Sequence, residues 1–108
     1  MNTKINYTYR DRGNFHVHNE AIIPGELTAE QQEEILRCCD SKEWFVPSQV
    51  GLSEQRFENW TEDDTPFFEV GDPFFELTNE APTVNITPLL LVIAFQKAEN
   101  HWACNWYE

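Results

Sequence analysis

Basic residues are scarce in this chain of 108 residues, in which seven lysines and arginines stand against nineteen aspartates and glutamates. The formal net charge is −12. A field of this sign repels nucleic acid and anionic membrane and attracts basic surfaces. Direct binding to DNA or RNA requires a basic patch or stripe, and the sequence has none. We therefore predict no direct contact with nucleic acid, and a basic protein surface as the partner.

Glycine is also rare, with four in all, each beside a predicted turn or strand end. This leaves no glycine-rich loop for cradling phosphate. The sequence contains neither the G-x-S-x-G nor the H-E-x-x-H motif, whose spacing supplies a nucleophile or a zinc site. We therefore predict a non-enzymatic protein with no catalytic residue and no cofactor.

Long hydrophobic runs are absent, since the longest extends from Leu89 to Phe95 and has seven residues. A transmembrane helix needs about 20. The first twelve residues lack the apolar region of a signal peptide. The three cysteines are an odd set in which Cys38 and Cys39 are adjacent, a pattern typical of a reducing compartment. These features predict a cytoplasmic protein that does not contact a membrane.

The first quarter of the chain predicts a β-hairpin, because apolar and polar residues alternate from Lys4 to Arg10 and again from Phe15 to Ile23. Phe15 is expected to face inward. Gly13 is expected to adopt the left-handed backbone of the turn between the strands.

Two helices are indicated by their N-terminal caps. Thr28 and Gln31 fit a capping box, and Thr87-Pro88 is an N-cap followed by proline at the first helical position. In the first helix we expect a stripe of three buried residues and a Glu33–Arg37 ion pair. That stripe comprises Ile35, Leu36 and Cys39.

A short strand is predicted from Glu43 to Val46, and the proline that follows indicates that the strand ends there or lies at the edge of a sheet. Two further strands are expected around Phe67–Val70 and Phe74–Leu77, separated by Gly71-Asp72-Pro73. Residues 1–108 are thus predicted to form a single α+β domain. Its antiparallel sheet of three to five strands has two helices packed mainly on one face.

The segment from Glu54 to Glu80 carries the main functional signal, because it contains nine acids, one base and six Phe or Trp residues. Disordered acidic tails are poor in aromatic residues. We therefore expect a folded segment with its rings inward and one strongly negative surface outward. The residues predicted to form this acidic binding surface are Glu54, Glu58, Glu62, Asp63, Asp64, Glu69, Asp72 and Glu76.

Two metal-binding hypotheses compete with this interpretation. His16, His18 and Glu20 fall on one strand face at i, i+2 and i+4, and such ligands suit zinc or another divalent ion in a metal protein or enzyme. His101 and Cys104 form an H-x-x-C pair that would need Cys38 or Cys39 to complete a zinc site. Neither pattern has diagnostic spacing, so no metal is predicted. Another alternative is that the acids confer solubility only.

The second helix is apolar on all sides in its first two turns, whereas a surface helix has one apolar stripe. Either the C-terminal residues or a second subunit must then cover its far side. We predict a homodimer through the helix that contains Leu89 to Phe95.

Four motifs resemble those of a family of small acidic bacterial proteins without an assigned function: YRDRGNF at 9–15, EWFVPSQVGL at 43–52, TEDDTPFFE at 61–69 and ELTNEAPT at 76–83. The resemblance covers most of the chain, except that the last helix is less amphipathic than the family pattern. It implies a bacterial cytoplasmic protein, often carried on mobile elements, and brings no catalytic residue with it. Together with the charge, it favours an acidic inhibitor or nucleic-acid mimic of the anti-restriction or anti-CRISPR type.

Overall fold

The computed structural model describes residues 1–56 and 65–103. Its elements are β1 (Asn2–Arg10), β2 (His16–Ile23), α1 (Ala29–Cys38), β3 (Trp44–Phe45), β4 (Phe68–Thr78) and α2 (Pro88–Ala98), with a short 3₁₀ helix at Pro47–Val50. The described strands form one antiparallel sheet in the order β2-β1-β4-β3. Both helices pack on one face of this sheet, so the predicted α+β fold is confirmed.

The predicted hairpin is present, with β1 and β2 paired from Thr3 opposite Ile23 to Arg10 opposite His16. Burial alternates strictly along β1, because successive side chains of a strand point to opposite faces. The odd-numbered residues of β1 face the core, and the even-numbered residues form the open face of the sheet.

The hairpin turn differs from the prediction in two respects. Asn14, rather than Gly13, has the left-handed backbone, with φ of 66°. Asparagine tolerates this region when its side chain bonds locally, and its Oδ1 accepts a hydrogen bond of 2.7 Å from Arg10. Phe15, expected inward, is 69% exposed, because β2 begins only at His16.

β4 is one continuous strand, so the prediction of two separate strands is wrong. Its pairing with β1 shifts register, because Val70 lies opposite Tyr7 whereas Phe75 lies opposite Ile5. Four residues of β4 therefore lie opposite one residue of β1. The segment Gly71-Asp72-Pro73 bulges without ending the strand, which matches the general role of bulges in bending a strand that stays paired.

The capping box of α1 is confirmed, because the Thr28 hydroxyl accepts from the Gln31 backbone amide and the Gln31 side chain accepts from the Thr28 amide. The expected Glu33–Arg37 pair is replaced by one between Arg37 and Glu34, at 2.7 Å. Arg37 also contacts Glu99, just after α2. The Arg37 side chain is therefore directed toward α2, which explains why it pairs with Glu34 at i−3 rather than with Glu33 at i−4.

The core lies between the sheet and the helices and is built largely of aromatic rings. The ring of Phe45 on the edge strand lies 5.5 Å from that of Tyr7 and 5.6 Å from that of Phe95. Trp102 packs against the same ring at 6.3 Å and donates a hydrogen bond to the Cys38 carbonyl. Edge-to-face and tilted ring pairs of this kind stabilise a core beyond their burial alone.

Candidate protein-binding surface

The predicted acidic surface is distributed over both sides of the sheet. Glu69 and Glu76 lie on the open face. Glu54 lies on the opposite side, paired at 3.0 Å with Arg56, whose guanidinium covers the core ring of Phe68. The structure therefore does not bring Glu54 together with the other two. Four of the predicted residues lie outside the described part of the chain: Glu58, Glu62, Asp63 and Asp64.

The open face of the sheet is polar and carries its own counterions. The Lys4 ammonium lies 2.5 Å from Glu80 and 3.9 Å from Glu20, and Arg10 lies 3.2 Å from Glu69. The hydrogen bond between Lys4 and Glu80 raises the pKa of Lys4 and lowers that of Glu80. Because these carboxylates already have cationic partners, this face attracts an external cation less than its acidic composition alone would indicate.

The three residues of the metal hypothesis do lie on one face, since His16, His18 and Glu20 alternate along β2. The Nε2 atom of His18 lies 3.7 Å from the Glu20 carboxylate. Among residues 1–56 and 65–103, however, no three His, Cys, Asp or Glu side chains are grouped closely enough to hold a metal ion. The described geometry therefore does not favour a metal centre at this position.

The two adjacent cysteines are buried. Burial raises the pKa of the Cys38 thiol, and it raises that of Cys39 to about 12. The Cys39 thiol lies 3.4 Å from the Ile35 carbonyl and can donate a hydrogen bond to it. Both thiols are therefore protonated at neutral pH, which disfavours them as nucleophiles or zinc ligands. Cys104, their expected companion in a zinc site, lies outside the described residues.

An apolar cleft of about 360 Å³ separates α1 from the bulge of β4. We call it the α1–β4 groove. The rings of Phe74 and Phe75 stack with centroids 4.2 Å apart on its β4 side, and Leu77, 55% exposed, continues the same face of that strand. The α1 side presents residues at i, i+3, i+4 and i+7, which is one face of a helix. The residues lining the groove are Ala29, Gln32, Glu33, Leu36, Pro73, Phe74 and Phe75.

One carboxylate lines the groove, and another lies next to its lining residues in the sequence. Glu33 lines it from α1, and Asp72 is exposed beside Pro73 in the bulge. No lysine or arginine is among its lining residues. Within the described part of the chain neither carboxylate forms an ion pair, and neither does Glu30, one turn before Glu33. The groove thus combines an apolar floor with one lining carboxylate, and Asp72 and Glu30 lie close to its lining residues in the sequence.

The edge of β4 explains why this groove is open. β3 has only two residues and pairs with Phe68 and Glu69 alone. No other described strand pairs with the outer edge of β4 beyond the bulge. An uncovered strand edge is a common site for partner binding, and here it runs beside the apolar floor.

The sequence predicted Asp72 as part of the acidic surface but did not include Glu33, which was expected to pair with Arg37. The i, i+3, i+4, i+7 spacing from Ala29 to Leu36 is visible in the sequence as a second, weakly apolar stripe on α1. That stripe was the available signal. Its juxtaposition with Phe75 depends on how β4 continues through its bulge, which the sequence did not show.

Within the described residues, no helix is long and apolar enough to span a membrane. No protein-family model matches the chain, and no match is found among curated proteins or solved structures. The family resemblance carried by the four motifs therefore stays a prediction.

Proposed function

We propose that this chain is a non-enzymatic interaction module that binds a basic protein in the bacterial cytoplasm and inhibits it by occupying its nucleic-acid-binding surface. An anti-restriction or anti-CRISPR protein would act in this way. The α1–β4 groove is the observation that carries the proposal, because it offers apolar contact area lined by Glu33, a carboxylate that forms no ion pair among the described residues.

The number of acids without an ion pair supports a net negative potential. The described residues hold fourteen acidic side chains, of which six form ion pairs with lysine or arginine. Three cations, Arg12, Lys42 and Lys97, form no ion pair with an acid in the described part of the chain. Eight carboxylates form no ion pair with lysine or arginine among the described residues: Asp11, Glu26, Glu30, Glu33, Asp40, Glu43, Asp72 and Glu76.

The occupant that fits the groove is a segment with large apolar side chains flanked by lysine or arginine. Its apolar groups would cover Leu36, Phe75 and Leu77, and its cations would meet Glu33 and Asp72. Charge complementarity of this kind steers association and selects partners, while the buried apolar centre supplies most of the affinity. Nucleic-acid-binding proteins carry basic surfaces that suit this chemistry.

Affinity capture from a bacterial lysate tests the proposal, with the bound proteins identified by mass spectrometry and then challenged with excess duplex DNA. We expect basic proteins that duplex DNA displaces. The double variant Glu33→Lys/Asp72→Lys should lose them.

The matched control is Asp40→Lys/Glu43→Lys, which changes the net charge equally at two exposed carboxylates near β3 that pair with no cation in residues 1–56 and 65–103. It should retain most of the captured protein. Equal losses in both double variants would mean that the acids act only through net charge. Identical capture by the wild type and the groove variant would contradict the proposal.

A further inference from the structure

The outer face of α2 carries two adjacent leucines that are exposed. Leu89 and Leu90 are 62% and 56% exposed. Ile93 and Ala94 are only partly buried on the following turn. The opposite side of the helix is buried in the core through Leu91, Val92, Phe95 and Ala98. The sequence predicted apolar residues all round this helix, and the described residues cover one side of it.

The charge on this face differs from that of the rest of the surface. A shallow depression beside α2 is lined by Gln49, Leu90, Ile93, Ala94, Lys97, Ala98 and His101, with no carboxylate among them. Lys97 is exposed and, within the described residues, makes no ion pair. A basic partner therefore has no electrostatic reason to bind at this face.

We infer that a second copy of this chain packs on the outer face of α2 about a two-fold axis. Two molecules that each carry −12 repel one another, so self-association requires a face on which acids do not meet. The outer face of α2 meets that condition and has leucines to bury. An isologous contact would place Leu90 of each copy near the symmetry axis, where both copies exclude water.

The size of the face sets the expected affinity. A helix of 11 residues is about 16 Å long, whereas a stable interface buries about 800 Å² on each partner. The contact must therefore extend from α2 onto the neighbouring 3₁₀ helix, through Gln49. An interface whose buried area is small for a stable complex binds weakly, so we expect a dissociation constant roughly in the micromolar range.

Sedimentation velocity of the full chain between 5 and 300 µM tests the inference. We expect the average mass to rise with concentration from 12.7 kDa toward twice that value. The double variant Leu89→Ser/Leu90→Ser should weaken self-association at least tenfold. Leu77→Ser is the matched control, since it makes the same change at a leucine of similar exposure on β4. It should leave the dimer unchanged.

Salt provides a second measurement that does not depend on any variant folding. Screening reduces the repulsion between the two acidic copies, so the dimer fraction should rise between 50 and 500 mM NaCl. Capture of a basic partner at the α1–β4 groove should weaken over the same range. A monomer at 300 µM in both salts would overturn the inference, and equal effects of the Leu77 and Leu89/Leu90 variants would overturn it also.

Discussion

Replacement of Gly71 by alanine tests the register of β4, the feature that the sequence predicted least well. An alanine Cβ at this position would lie 2.5 Å from the backbone oxygen of Asn6 and 2.8 Å from its Cβ. Asn6 belongs to β1, which is paired on both sides and cannot easily move away. The bulge of β4 therefore requires a residue without a side chain where it crosses β1.

The expected destabilisation follows from that clash. Forcing an extra methyl group into a packed region costs typically 1–3 kcal/mol. The neighbour here is the backbone of a central strand, which can shift less than a flexible side chain to relieve the clash. We expect Gly71→Ala to lower the free energy of unfolding by about 2–3 kcal/mol. For a domain of this size that corresponds to a fall in Tm of roughly 8–15 °C.

Urea unfolding followed by tryptophan fluorescence measures the effect, with Gly13→Ala as the control. Gly13 is exposed in the hairpin turn and does not have positive φ, so its replacement should change stability by less than about 0.5 kcal/mol. If Gly71→Ala is as stable as Gly13→Ala, β4 does not cross β1 at Asn6. The position assigned to Phe75 in the groove would then be wrong.

Two further predictions concern acid stability and metals. Hydrogen bonds from Arg37 and Gln96 lower the pKa of Glu34 from 4.5 to about 2, so this contact stabilises the fold fully above pH 4.5 and is lost as the pH falls toward 2. Glu34→Gln should therefore lower Tm at pH 7 and flatten the dependence of Tm on pH between 4.5 and 2. An unchanged dependence of Tm on pH in that range would contradict the role given to Glu34. Since residues 1–56 and 65–103 hold no group of side chains suited to a metal ion, excess EDTA should leave Tm unchanged, whereas a large fall would indicate an ion that stabilises the fold.

The elements with local signals were predicted from the sequence. The two helices begin at N-caps formed by Thr28 and Thr87. Each cap is a hydrogen bond from a backbone amide three residues later to the threonine side chain, so it depends only on local sequence. The alternation from Lys4 to Arg10 likewise depends on local periodicity. These features appear in the structure within a few residues of their predicted limits.

Other features depend on residues distant in the chain and were missed. The sequence of Gly71-Asp72-Pro73 is typical of a turn, and only pairing with β1 holds it inside a strand. The choice of Glu34 over Glu33 as partner of Arg37 is set by Glu99 at the end of α2. The α1–β4 groove depends on the pairing of β4 with β1 and on the packing of α1 beside α2. Its apolar floor could therefore not be predicted from local sequence patterns.

Hydrogen–deuterium exchange on the complex with a captured, DNA-displaceable partner tests the central claim most directly, because it locates the contact without any substitution. We predict that binding slows exchange in peptides covering 29–36 and 71–78, which form the two sides of the α1–β4 groove. Peptides from the middle of α2 should be unaffected by the partner at fixed dimer fraction. Slowed exchange confined to other segments, with 29–36 and 71–78 unchanged, would contradict the proposal that this groove binds the basic protein.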